Sequence, residues 1–209
     1  ADEKKAVVVE VNAETDFVAK NEKFQNYVSD VAEQTLNTSA ADIDAFLAEK
    51  WAKDPSLTVA EALSSQISII GENMKIRRFA QLAEENGFVA SYIHAGGKIG
   101  VLVNLAVEGG IDATTIGKDV AMQIAALNPR FWDKSLVTED VIAEEKKVLV
   151  AQMDNDPKMA TKPQQIKEKI AAGKMAAFYK ESCLLQQEFV RSDLYKGDVA
   201  GYIADAAKK

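Results

Sequence analysis

A chain of 209 residues with 47% hydrophobic content can bury a core, as one large domain or two small ones. Its formal net charge of −7 argues against a nucleic-acid or anionic-membrane surface, because phosphate binding needs clustered Lys and Arg, and it points to a protein partner. The single cysteine, Cys183, excludes an intramolecular disulfide and fits a reducing, cytoplasmic setting, and with one histidine there is almost no means of building a zinc site.

Ala6 to Val11 reads as a strand, because Val7, Val8, Val9 and Val11 are β-branched. Phe24, Tyr27, Val28, Val31 and Leu36 then recur at the spacing of one helix face. Phe17 falls in the short connection between them, where a large ring needs a cover. Either it folds back as a staple on the following helix, with Asp16 or Asn21 capping the first turn, or it is a wedge held out for a partner.

Asn37 to Asp42 reads as a loop capping a short helix that carries Ile43, Phe46 and Leu47, and Asp54-Pro55 is expected to end that segment. Thr58 and Glu61 have capping-box spacing, and Val59, Leu63, Ile67 and Ile70 follow as an apolar stripe. Gly71 sits where a left-handed cap is wanted, which leaves Ile70 near the surface. Arg77 and Arg78 read as polar residues at the start of a strand.

Ile76–Leu82, Val89–His94 and Ile99–Val107 read as strands, with a turn at Asn86-Gly87 between the first two and a second turn at Ala95 to Lys98. Blocks of strands and helices make an α+β pattern of antiparallel modules backed by helices. His94 ends a strand beside the Gly-rich turn, and no Asp, Ser or Cys motif makes it part of a catalytic set. Glu108 to Gly110 is expected to close the hairpin. Thr114 or Asp112 can cap a helix holding Ile116, Val120, Ile124 and Leu127 inside, with Ala121, Ala125 and Ala126 packing closely, until Asn128-Pro129 stops it. Phe131 and Trp132 are expected to anchor its exit in the core.

From Thr138 the character changes. Val141 and Ile142 recur seven residues on as Val148 and Leu149, Asp154 to Pro157 breaks the helix, and Pro163 restarts it. Ile166, Ile170, Gly173 and Ala177 are expected to form the seam of an antiparallel helical hairpin, a coiled coil over residues 139–180. Residues 1–85 are read as a first core subdomain, and 86–138 with 181–209 as a second one with its C-terminal segment. Cys183 reads as a small buried apolar residue, with a reactive thiol as the alternative.

The stretch Glu10 to Lys20, GluValAsnAlaGluThrAspPheValAlaLys, resembles the signature of elongation factor Ts, the nucleotide-exchange factor of elongation factor Tu. Ile70 to Arg78, Ser91 to Val103 and Lys118 to Pro129 are similar to further family stretches in the same order, so the resemblance runs at least from Val7 to Arg191. It implies binding to elongation factor Tu, GDP-bound and nucleotide-free, with Thr15, Asp16, Phe17 and Val18 forming the loop inserted near the partner's magnesium and phosphate site. It implies contacts from Ile70, Gly71 and His94, a C-terminal contact module including Phe189, Val190 and Arg191, and a homodimer of the complex as a further assembly. No cofactor, metal ligand or catalytic residue is implied. The family's N-terminal helical domain would precede Ala1, and its final strand pattern is not found after Tyr202.

The chain has no Gly-x-x-x-x-Gly-Lys-Ser/Thr loop for nucleotide, no Gly-x-Ser-x-Gly and no His-Glu-x-x-His. No apolar run approaches the ~18 residues that span a bilayer. Two other readings are an adaptor that binds only through the helical hairpin, and a metabolic enzyme using His94 as a base.

Overall fold

The computed structural model describes residues 4–108 and 112–208. The architecture is α+β, small two-stranded antiparallel sheets packed with helices, in two compact units covering residues 1–121 and 122–209.

In the first unit, β1 (Lys5–Ala13) leads into a one-turn helix α1 (Asp16–Ala19), α2 (Glu22–Asn37) and α3 (Ile43–Ala48). A short hairpin of β2 (Lys50–Trp51) and β3 (Asp54–Thr58) follows, then α4 (Val59–Ile70), β4 (Met74–Ala83), β5 (Gly87–His94) and β6 (Ile99–Ala106). Asn21 caps α2 by accepting from the Lys23 amide at 2.8 Å, and Asp42 caps α3 by accepting from Ala45 at 2.8 Å. Thr58 and Glu61 form the expected capping box at α4, and Gly71 closes that helix at φ 83°, where a β-carbon would be strained.

Phe24, Tyr27 and Val31 of α2 pack with Phe46, Trp51, Val59, Ala62, Met74 and Ile76 into the core of this unit. In β4 Met74 and Ile76 point inward and Lys75 and Arg77 outward, the period of two that one covered sheet face demands. The Tyr27 ring lies 5.9 Å from that of Trp51, its buried hydroxyl has no hydrogen-bond partner among the described residues, and burial raises its pKa. Tyr27→Phe should therefore stabilise the chain by about 1 kcal/mol, the cost of an unsatisfied hydroxyl. A lower denaturant midpoint for the variant would contradict this.

Two pairings differ from expectation. Asp54-Pro55 does not end a helix: α3 stops at Ala48, and the pair opens β3 of a two-stranded hairpin in whose register Pro55 has no partner, a position that tolerates proline. Asn86 lies in a turn between β4 and β5 as expected, but the strands it joins do not pair: β4 pairs with β1, from Lys5↔Ala83 to Ala13↔Met74, and β5 pairs with β6. Gly87 instead opens β5, where a β-carbon would collide with the Leu105 carbonyl of β6. Local turn chemistry named the glycine but not which backbone it had to approach.

The bulge between Glu10 and Val11 lets Glu10 meet two arginines of β4, with Arg77 Nη1 at 2.8 Å and Arg78 Nε at 2.7 Å. The hydrogen bonds from Arg77 and then Arg78 bring the Glu10 carboxyl down to about 2. A depressed folded-state pKa contributes stability that is fully present above about pH 4.5 and is lost as pH falls toward about 2. Glu10→Gln should melt below the parent at neutral pH, and the gap should close across that acid window. A gap independent of pH would contradict the pairing.

Helix α5 (Thr114–Leu127) begins after Asp112, whose carboxylate accepts from the Thr114 amide at 2.9 Å. In the first unit it packs through Gly117, where a β-carbon would stand 2.7 Å from the Ala90 Cβ, and through buried Val120 and Ala121. Leu127, expected inside, is exposed. Gly109 and Gly110, expected in a turn, lie outside the described residues.

In the second unit, α6 (Glu139–Asn155) and α7 (Gln164–Ser182) form the helical hairpin, broken where Asp156 and Pro157 stand. Its seam is not the expected one. Lys167, Ala171, Met175 and Phe178 of α7 are buried, whereas Ile166, Gly173 and Ala177 face outward. Periodicity named only the seam of Ile166, Ile170, Gly173 and Ala177, whereas Val141, Ile142 and Leu149 pack with Met175 and Phe178, one position round the helix. Lys167 is buried because its ammonium pairs with Asp154 and donates to the Ala160 carbonyl at 2.9 Å, tying down the hairpin's tip. Phe131 packs on the cluster of Val137, Met175, Phe178 and Cys183, but Trp132, expected beside it, is 59% exposed. Cys183 is buried, and burial raises its thiol pKa. Phe189 stacks on Tyr202 of α8 (Val199–Ala206) at 4.0 Å between ring centroids.

Candidate functional site

The antiparallel ladder of β1 and β4 ends at Ala13↔Met74, so the turn leaving β1 and the turn entering β4 must lie side by side. Thr15 occupies the first turn and Glu72 the second. The Glu72 carboxylate accepts two hydrogen bonds from Thr15, from the amide at 3.1 Å and from the hydroxyl at 2.6 Å. The same hydroxyl oxygen accepts from the Val18 amide at 3.3 Å and so caps α1. Val18 and Ala19 pack against the core of the first unit.

Phe17, between these fixed points, is 87% exposed. The staple is thereby excluded: Asn21 does cap the next helix, but among the described residues none covers the ring. Burying a phenylalanine is worth roughly 1.5 to 3 kcal/mol, and this turn forgoes it. Asp16 is exposed beside it, and its carboxylate stands 3.7 Å from the Lys98 ammonium in the turn joining β5 to β6. Such an open pair stabilises little.

That turn is the third element here. Ala95, Gly96 and Gly97 all have positive φ, so it is a tight hairpin and not a helix-borne phosphate cradle. β6 approaches β1 closely at Gly100, where a β-carbon would stand 2.6 Å from a Val8 methyl. His94, at the end of β5, stacks on Tyr92 at 5.8 Å and shares a hydrogen bond of 2.9 Å between Nδ1 and the Tyr92 hydroxyl. Among the described residues no carboxylate or serine is hydrogen-bonded to His94 to complete a relay.

Thr15, Asp16, Phe17, Val18, Gly71 and Glu72 thus come together at one end of the β1–β4 ladder, and Lys98 brings the His94 hairpin to them. Ile70 is half-buried against the core, and the neighbouring Ile69 is the outward residue, at 60% exposure. Sequence reasoning missed Ile69, Glu72 and Lys98. The stripe Val59, Leu63, Ile67 and Ile70 already put Ile70 on the apolar face, and the structure keeps it there, half-buried. Val190 and Arg191 belong to the second unit. The Val190 amide donates to Gln123 at 2.8 Å while its side chain is exposed, and Arg191 forks onto Asp193 at 3.0 and 2.8 Å.

Among the described residues no group of three or more His, Cys, Asp or Glu is placed to hold a metal ion, and no helix is long and apolar enough to cross a membrane. An open polar cleft of ≈ 330 Å³ is lined by Asp30, Glu33, Gln34, Thr38, Glu49 and Lys53 among others, and His94 is not part of it. Fold and surface together define a class, an α+β protein that presents an exposed aromatic side chain on a braced turn. The profile of the family described as Elongation factor TS matches residues 14–209. The chain is 42% identical over 209 residues to elongation factor Ts of Clostridium tetani, covering 100% of this chain and 67% of that protein. It is 44% identical over 192 residues to that of Halothermothrix orenii (92% and 62%) and 43% identical over 208 residues to that of Trichlorobacter lovleyi (97% and 65%). The chain belongs to the elongation factor Ts family. It spans 62 to 67% of the length of these relatives.

Proposed function

We propose that this chain binds elongation factor Tu and promotes release of its GDP, acting as a guanine-nucleotide exchange factor without covalent chemistry. The observation that carries this reading is Phe17, bare to solvent on a turn braced from both sides. A ring left uncovered at such cost suits insertion into another protein's core. Insertion near the magnesium and phosphate site disturbs both ligands. Coupling is reciprocal, so the chain binds the nucleotide-free partner better than the GDP-bound one by the factor it takes from GDP affinity.

The wedge supplies at most roughly 1.5 to 3 kcal/mol, or about ten- to a hundred-fold in GDP affinity at ~1.4 kcal/mol per tenfold. Ile70 with Gly71, His94, and Val190 with Arg191 supply further contact area. Release of fluorescently labelled GDP from elongation factor Tu, with and without this chain, tests the proposal, and an unchanged rate rejects it. Sedimentation of the nucleotide-free complex distinguishes a one-to-one assembly from a homodimer of the complex.

A further inference from the structure

We propose that Glu72 is a positioning residue for exchange, its carboxylate setting the angle at which α1 presents Phe17. This rests on the exchange reading above and assigns the stretch after α4 a task other than touching the partner.

The turn that carries Phe17 has few means of holding itself. α1 is a single turn, and an isolated helical turn is unstable because nucleation costs more than its first hydrogen bonds return. Val18 and Ala19 fix its far side in the core, but its leading edge would otherwise hang from the end of β1. Glu72 supplies the missing support. Of the Thr15 groups, the amide and the hydroxyl both donate to the one carboxylate, a two-point grip that fixes orientation as well as distance. The hydroxyl then passes the constraint on, since its oxygen receives the Val18 amide. The chain of bonds runs Val18 to Thr15 to Glu72, with Phe17 enclosed in it and its ring left outside.

Glu72 reaches Thr15 because of the residue before it. Gly71 turns the backbone through φ 83° while its amide still donates to the Ile67 carbonyl at 2.8 Å, so α4 ends and the next side chain is redirected within one residue. A β-carbon at Gly71 meets nothing within 4 Å, so the glycine answers a backbone need and not a steric one. Ile70, half-buried in the core, fixes the other side of the turn. The stretch Ile70-Gly71-Glu72 is thus a seat for the wedge.

The test compares Glu72→Ala and Thr15→Val with the parent, each also in a Phe17→Ala background. GDP release is followed at a chain concentration where the Phe17→Ala protein still exceeds the intrinsic rate. Glu72→Ala is expected to slow release about tenfold in the parent, the ratio one charge-assisted hydrogen bond can hold, and to add nothing once Phe17 is gone. Equal slowing in both backgrounds, or none in the parent, overturns the proposal. Amide hydrogen exchange of the free protein reads the seat independently of exchange activity. Thr15 and Val18 should lose protection about tenfold in Glu72→Ala while core amides of α2 and β4 keep theirs. Unchanged protection at Thr15 and Val18 overturns the seat even if release is slowed. Lost protection with a parent chain that never releases GDP keeps the seat and rejects the exchange reading and the role in it.

Discussion

Phe17→Ala should slow GDP release from elongation factor Tu by about ten- to a hundred-fold while leaving the melting curve of the free chain unchanged within about 0.5 kcal/mol. Both halves follow from one number: the ring is 87% exposed, so the folded chain gains almost nothing from it and loses almost nothing without it. Its apolar area is available only to a partner, where covering it is worth the whole transfer term. Stopped-flow release of labelled GDP checks the first half and chemical denaturation the second. Equal release rates for variant and parent would exclude the wedge, and a large loss of stability would show that the ring is covered in solution.

Phe46→Ala should do the opposite. Phe46 of α3 is fully buried, 5.3 Å from the Phe79 ring, in the cluster that also holds Val31, Val59 and Ile76. Truncating a buried phenylalanine forfeits its transfer energy and leaves a cavity that the surroundings fill only partly, about 3 to 5 kcal/mol together. Against a total stability of roughly 5 to 15 kcal/mol, that is a large fraction. The denaturant midpoint should fall steeply, and release activity should fall with the folded fraction. A midpoint within 1 kcal/mol equivalence of the parent, on the scale of roughly 1 to 3 kcal/mol per molar urea, would contradict the core assignment.

These two phenylalanines mark how far local reading goes. Phe46 was legible as core because Ile43, Phe46 and Leu47 share one face of a capped helix, and spacing carries that information directly. Phe17 was legible only as a choice between two fates, staple or wedge, since a ring in a connection has no periodicity to place it. The difference was decided by Val18 and Ala19 entering the core in its stead, a matter of how α1 sits on the body of the unit. Trp132 shows the same limit from the other side: paired aromatics after a helix read as an anchor, and only Phe131 is one.

What the residues alone determined were features whose causes lie within a few positions along the chain. These include the capping box at Thr58 and Glu61, the left-handed Gly71, the helix stop at Asn128-Pro129, the break before α7, and most strand limits to within two residues. The four motifs that place the chain in its family were also legible there. Only the tertiary structure decided which strands pair and which face of α7 turns to α6. It alone brought Glu72 to Thr15 across 57 positions of sequence and Lys98 to Asp16. The reason is physical. Caps and turns are settled by dihedral preferences and hydrogen bonds close in sequence, whereas pairing and burial are settled by which distant surface removes the most apolar area from water, and no local pattern contains that surface.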